Sequence, residues 1–333
     1  MDLTLVLLIT VVVIALLFDF VNGFHDAANA IATVVVSRTL TPGQAVLMAG
    51  AANFLGYFFF GVTVAKTIGN DVVHLSQMTL PILLAALSGA VTWNLITWVL
   101  GLPTSSSHAL IGGLVGSAIA AVGFGGVLLP GVLKIAGFIV LAPVLGFLGA
   151  SIITIVIFWL FRRTHPRKAQ PLFKGLQLLA AGYFSVTHGA NDSQKTMAII
   201  AMALVAAGVH TTLVLDDWVI FSCYLAISLG TAFGGWRIVK TMGTSITKIR
   251  AMEGFASNLS AGATLMMANI FGIPVSTTHV ISGSIMGVGA VENAAKVKWT
   301  TARRIVWAWI ITIPAAATIA ALVHYLLKFV FGL

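Results

Sequence analysis

Apolar stretches of about 20 residues recur from one end of this chain to the other, and each is long enough to cross a hydrocarbon core of roughly 30 Å. The first, Leu3–Phe20, has neither a basic leading segment nor a clear cleavage site, so it reads as a retained span rather than a signal peptide. Only 8% of the 333 residues are charged and 59% are hydrophobic, where a soluble domain carries roughly 25% charged residues. The chain is therefore expected to be an all-α polytopic protein of the cell (plasma) membrane, its main partner the lipid bilayer. Cys223 is its only cysteine, which excludes an intrachain disulfide and a cysteine metal cluster.

The net charge of +9 does not point to nucleic acid, because the basic residues sit in short loops where they orient a membrane protein. Three clusters are assigned to the cytoplasm: Arg162, Arg163, Arg167, Lys168 and Lys174; Arg237, Lys240, Lys248 and Arg250; and Lys296, Lys298, Arg303 and Arg304. Asp71 and the Asp216-Asp217 pair then fall outside. The run 236–250 reads as an amphipathic cytoplasmic segment, Glu253 as an interfacial residue beside it ahead of a coupling carboxylate, and Gly112, Gly113 and Gly116 as sites of close helix packing.

Two polar motifs each occur twice, in the same order in both halves. Gly23-Phe24-His25-Asp26-Ala27-Ala28-Asn29-Ala30 has a relative in Gly189-Ala190-Asn191-Asp192-Ser193-Gln194-Lys195-Thr196. Gly101-Leu102-Pro103-Thr104-Ser105-Ser106-Ser107-His108 has a closer one in Gly272-Ile273-Pro274-Val275-Ser276-Thr277-Thr278-His279. Polar clusters are costly in apolar surroundings, and their duplication points to one site built from two related halves.

The basic segment 161–171 divides the chain into 1–160 and 172–333. Each half holds about five apolar elements: 3–37, 43–66, 79–100, 103–123 and 131–160, then 174–209, 214–236, 252–271, 275–291 and 305–331. An odd number of crossings per half gives the halves opposite orientations, the inverted-topology repeat of many secondary transporters. The first element of each half is too long for one crossing and carries its carboxylate motif near the middle. A helix broken at Gly23 and at Gly189 is therefore expected, since irregular backbone at membrane depth is tolerated only inside protein or along a wet cavity. Pro103 and Pro274 are expected to open helices, placing the following hydroxyls in first turns, where free N–H groups receive oxyanions.

The chemistry divides between the motifs. Thr104, Ser105, Ser106 and Ser107, with Ser276, Thr277 and Thr278, supply neutral donors to a tetrahedral oxyanion, and no arginine accompanies them. Asp26 and Asp192 would repel that anion at low dielectric unless cations lie between them or they carry protons. Asn29 and Asn191 offer amide oxygens to a hard cation such as sodium, and His25 is an alternative proton carrier. Symport follows, with H+ or Na+ as the coupling ion and no other cofactor. Lys195 can neutralise Asp192, contact the anion or snorkel; His108 and His279 can bind ligand or brace the hairpin. An intramembrane serine hydrolase is disfavoured: Ser107 and His108 are adjacent, there is no Gly-x-Ser-x-Gly elbow, and a single nucleophile has no use for a duplicate. A passive channel would need no carboxylates beside its anion path.

These four motifs resemble those of the inorganic phosphate transporter family, in which each half carries a G-A-N-D-type signature and a P-x-S-[ST]-[ST]-H motif, and the resemblance covers essentially the whole chain. It implies two inverted repeats of about five to six membrane segments each, with broken or re-entrant helices at the midplane, outward termini, a homodimer and no enzymatic activity. It implies phosphate held by Ser105, Ser106, Ser107, Ser276, Thr277 and Thr278 and a cation held by Asp26, Asn29, Asn191 and Asp192; the reading of the residues adds Thr104 and Lys195 to the phosphate side. His108, His279, Gln194 and Ser193 are supporting residues. The first signature reads Gly-Phe-His-Asp, an imidazole standing where the family has an amide. That is similar to the bacterial low-affinity branch, regarded as proton-coupled and able to move metal–phosphate complexes. Sulfate permeases share the resemblance and give the alternative substrate.

Overall fold

The computed structural model describes residues 2–332. Among them the only β pairing is an isolated bridge between Val73 and Val127. The first half contains α1 (Leu3–Val36), α2 (Pro42–Phe59), α3 (Thr63–Asp71), α4 (Leu80–Val99), α5 (Ser106–Val122) and α6 (Leu129–Leu160). The second contains α7 (Pro166–Ala206), α8 (Asp217–Phe233), α9 (Trp236–Thr244), α10 (Ala251–Ile270), α11 (Thr277–Asn293) and α12 (Trp299–Phe331). Taken in order, the paired helices have 34 and 41, 18 and 17, 9 and 9, 20 and 20, 17 and 17, and 32 and 33 residues.

The helix breaks do not lie where the sequence suggested. α1 and α7 run unbroken through Gly23 and Gly189. Those glycines serve packing instead. A Cβ on Gly23 would strike the Ile227 and Thr231 backbone of α8, and one on Gly189 the Asn53 backbone of α2. The bends come one element later, 83° between α2 and α3 and 71° between α8 and α9. Counting each bent pair once restores five elements per half. α1, α4, α6 and α12 are long and apolar enough to cross a membrane, and the bent pairs bring that number to six. α7 begins at Pro166, inside the basic segment 161–171, with His165 as its cap.

A second correction concerns the prolines. α5 and α11 start at Ser106 and Thr277, not at Pro103 and Pro274. The caps are Ser105 and Ser276, whose hydroxyls accept from the His108 and His279 amides at 3.2 and 3.3 Å. Serine satisfies an orphan amide of the first turn, which proline at a distance cannot do. Each cap is itself extended, Ser105 at φ −102°, ψ 112° and Ser276 at φ −85°, ψ 113°. Gly101 and Gly272 precede these caps with the same φ, +64°, a backbone glycine adopts at no steric cost.

Packing crosses between the halves. α1 lies on α8, α2 on α7, α5 on α12 and α6 on α11. Gly112 and Gly116 admit the α12 backbone, and Gly113 that of α4. α7 is at the centre: every residue from 187 to 204 is buried, as expected of a helix apolar or paired on all sides. α6 and α12 present Leu145, Leu148, Ile152, Trp307 and Leu322 outward, the surface that lipid requires. Arg162 and Arg167 meet Lys248 and Arg250 around a cleft of about 790 Å³, so the first two basic clusters share one face. Arg250 pairs there with Glu253 (2.6 Å) and Glu292 (2.8 Å).

Candidate functional site

α5 and α11 meet N-terminus to N-terminus at the heart of the bundle. His108 and His279 pack edge to face with centroids 4.7 Å apart, and Trp309 of α12 stacks on His279 at 3.9 Å. The Trp309 indole donates to the Pro103 carbonyl at 3.0 Å. The two histidines thus brace the junction of the two helix N-termini. Both helix dipoles direct partial positive charge at the same spot.

α1 and α7 carry the carboxylates to that spot from either side. Thr277 Oγ1 lies 3.2 Å from Asp26 Oδ2 and 3.4 Å from Asp192 Oδ2, so one hydroxyl touches both signatures. Asp26 also faces His25 Nδ1 (2.7 Å), Ser106 Oγ (3.4 Å) and Thr278 Oγ1 (3.5 Å). Asn29 donates to Thr278 Oγ1 at 2.9 Å. Asp192 meets Lys195 Nζ at 2.5 Å and His188 Nε2 at 3.2 Å. The Lys195 ammonium donates further to Ser107 Oγ (2.5 Å) and the Val275 carbonyl (2.9 Å), so it sews the second signature to both hydroxyl segments. All of these side chains are buried.

Some sequence candidates stand apart from this centre. Thr104 Oγ1 donates to Thr97 Oγ1 of α4 (2.9 Å), behind the His25 ring. Ser105 and Ser276 spend their acceptors on caps. Ser193 bonds its own helix at Gly189 O (2.7 Å). Gln194 faces away, its Oε1 accepting from the Val64 and Ala65 amides (2.8 and 3.3 Å) and capping α3. Asn191 Nδ2 donates to Asn269 Oδ1 (2.8 Å), while its own Oδ1 has no hydrogen-bond partner among the described residues. That orphaned oxygen suits a cation ligand. Asp26, His188 and Asp192 each offer a ligand atom within 4.8 Å of the others.

Sequence reasoning passed over His188, Asn53 and Thr97. His188 Nδ1 meets Asn53 Oδ1 at 3.1 Å, and His25 Nε2 meets Thr97 Oγ1 at 3.1 Å. Each signature carboxylate therefore has an imidazole, and each imidazole is held by a polar residue of a neighbouring helix. The available signal was the i, i+4 spacing of His188 and Asp192 in an apolar run, since intramembrane ionisable residues are functional by default.

An apolar helical bundle enclosing two helix N-termini, with one hydroxyl shared by two buried carboxylates, is the build of a membrane carrier. Residues 22–320 match the phosphate transporter family, and the chain belongs to that family. It is similar to a "Probable low-affinity inorganic phosphate transporter" of Rhizobium meliloti (strain 1021), 48% identical over 328 residues that cover 98% of each chain. A protein of the same description from Bacillus subtilis (strain 168) is 44% identical, with 99% of this chain and all of that one aligned. Among solved structures, "The sodium-dependent phosphate transporter" superposes with a TM-score of 0.89 at 27% identity, covering 98% of this chain and 100% of the other. The chain is thus a multi-pass transporter of the cell membrane.

Proposed function

We propose that this chain imports inorganic phosphate, free or as a metal–phosphate complex, by cation symport with alternating access. The observation that carries the proposal is the Thr277 hydroxyl within 3.4 Å of both Asp26 and Asp192. Phosphate held by Ser106, Ser107, Thr277 and Thr278 would lie against two carboxylates, and repulsion at low dielectric forbids that without a neutralising ion. A proton or sodium ion between Asp26 and Asp192 lifts the penalty, with Asn29, Asn191 and His188 as further ligands for a metal. The anion then binds well only with its coupling ion.

The matched helix lengths and the odd number of elements per half support two inverted repeats, 1–160 and 172–333. Burial of every site residue fits the occluded step that such a cycle passes through. Homodimer formation is part of the same expectation, and cross-linking in native membranes tests it.

Phosphate is preferred to sulfate because the relatives by name handle phosphate, and because Asp26 and Asp192 can accept the proton that hydrogen phosphate carries and sulfate lacks at neutral pH. The test is uptake of labelled phosphate into proteoliposomes under an imposed sodium or pH gradient. Accumulation should require one of the gradients and resist excess sulfate. Accumulation that survives collapse of both gradients, or strong competition by sulfate, overturns the proposal.

A further inference from the structure

Asp19 is an intramembrane carboxylate that the site above does not use. It lies on α1 seven residues before Asp26, about 10 Å along the same helix face. It is fully buried, and among the described residues its oxygens have no hydrogen-bonding neighbour beyond the Thr196 hydroxyl. The Thr196 hydroxyl faces it from α7, the Tyr224 hydroxyl of α8 lies near but is turned to Ser193, and Asn22 Oδ1, one turn along α1, is unpaired among the described residues. The charged and titratable groups facing it are Asp192 and Lys195 of α7 and Cys223 and Tyr224 of α8. Lys195 is already committed to Asp192 at 2.5 Å.

An ionised carboxylate with a single hydroxyl and no cation of its own beside it is among the costliest groups to bury, and such residues inside membranes mark ion paths and proton relays. The neighbours favour a proton over a metal ion. The Thr196 hydroxyl can donate to a carboxylate or, after rotating, accept from a carboxylic acid. It thus suits a group that changes its proton. A metal ion would want several lone-pair donors at once, and Asn22 is the single amide oxygen among these neighbours.

We infer that Asp19 is a proton-binding site of the transport cycle, loaded from the outer side and discharged inward, separate from the ion held between Asp26 and Asp192. The inference rests on the symport reading. Asp19, Asp26 and Asp192 set three carboxylates against the one ammonium of Lys195, with no arginine in the site. A proton taken from outer water forms an O–H bond on Asp19 and removes one of the two unbalanced negative charges before phosphate adds its own. On the orientation given by the basic loops, Asp19 lies between the outer surface and the phosphate site.

The test uses the full chain in sodium-free proteoliposomes with an inside-alkaline pH gradient. Wild-type protein should accumulate labelled phosphate. Asp19→Asn should lose gradient-driven accumulation by about tenfold more than it loses phosphate exchange at equal pH. Asp19→Glu should keep accumulation with a displaced pH profile. Equal accumulation by Asp19→Asn and wild type overturns the inference. So does a wild type driven by sodium but not by pH, which leaves symport standing. Accumulation with neither gradient overturns symport itself. Should both variants lose exchange as well, the infrared C=O stretch of a protonated carboxyl decides. Wild-type protein should show that band and Asp19→Asn should lack it; its absence from the wild type overturns the inference.

Discussion

Asp26 and Asp192 occupy matching places in their halves and converge on one hydroxyl, yet they keep different company. Asp192 is clamped by an ammonium 2.5 Å away that belongs to the same helix. Asp26 has no such fixed cation; it faces the His25 imidazole and three hydroxyls, of Ser106, Thr277 and Thr278. The duplicated motif is therefore divided into a half with a built-in counter-ion and a half without one among the described residues. A carrier gains from the difference. The permanent pair holds the two hydroxyl segments in register, and under the symport proposed above the uncompensated carboxylate would make occupancy by phosphate conditional.

Substitution can break this contrast from either end. The largest effect is expected for Lys195→Met, which strands Asp192 as a buried charge. Removing one partner of such a pair costs about 3–5 kcal/mol, so uptake should vanish and the melting temperature in detergent should fall sharply. Lys195→Met with Asp192→Asn should recover much of that stability without recovering uptake. Asp26→Asn should abolish accumulation of phosphate while leaving the melting temperature close to wild type. Asp192→Asn should abolish accumulation and also destabilise, because Lys195 then lacks its carboxylate. If the two Asp→Asn variants melt alike, the division of labour is wrong. His25→Asn brings the first signature closer to the second; pH-dependent uptake assays should show a changed profile with a smaller change in KM for phosphate. The smallest effects belong to the caps. Ser105→Ala and Ser276→Ala should each cost about 1 kcal/mol in chemical denaturation, and by near-equal amounts, since the two caps have the same geometry.

Much of the site was legible in the sequence because its residue types are expensive in lipid. Asp26, Asp192, Ser106, Ser107, Thr277 and Thr278 stand out from apolar neighbours, and the structure brings them together. The helix path was less legible. Gly23 and Gly189 read as breaks because each sits mid-way along an overlong apolar run, but a glycine that lets another backbone approach looks the same in sequence as one that ends a helix. Only the neighbours distinguish them, Thr231 in one case and Asn53 in the other. The same ambiguity hid Gln194. It lies inside a signature motif, yet its side chain turns outward to cap α3, and no local pattern reveals which face of a fully buried helix a polar residue takes. Asp19 was hidden differently, as a single carboxylate in an element already assigned to crossing the membrane.

The pairing of α5 with α12 and of α1 with α8 also sets an order of events during synthesis. Trp309, which holds the Pro103 carbonyl and stacks on His279, is made 206 residues after that carbonyl. The first half must enter the membrane and wait there with Asp26 facing no Thr277 and Gly116 facing no partner helix. Its polar face is covered only when the second half, through α12, arrives. Over that interval the nascent chain is a half-built carrier, open to misassembly, and the cell must shelter it until the second half is in place.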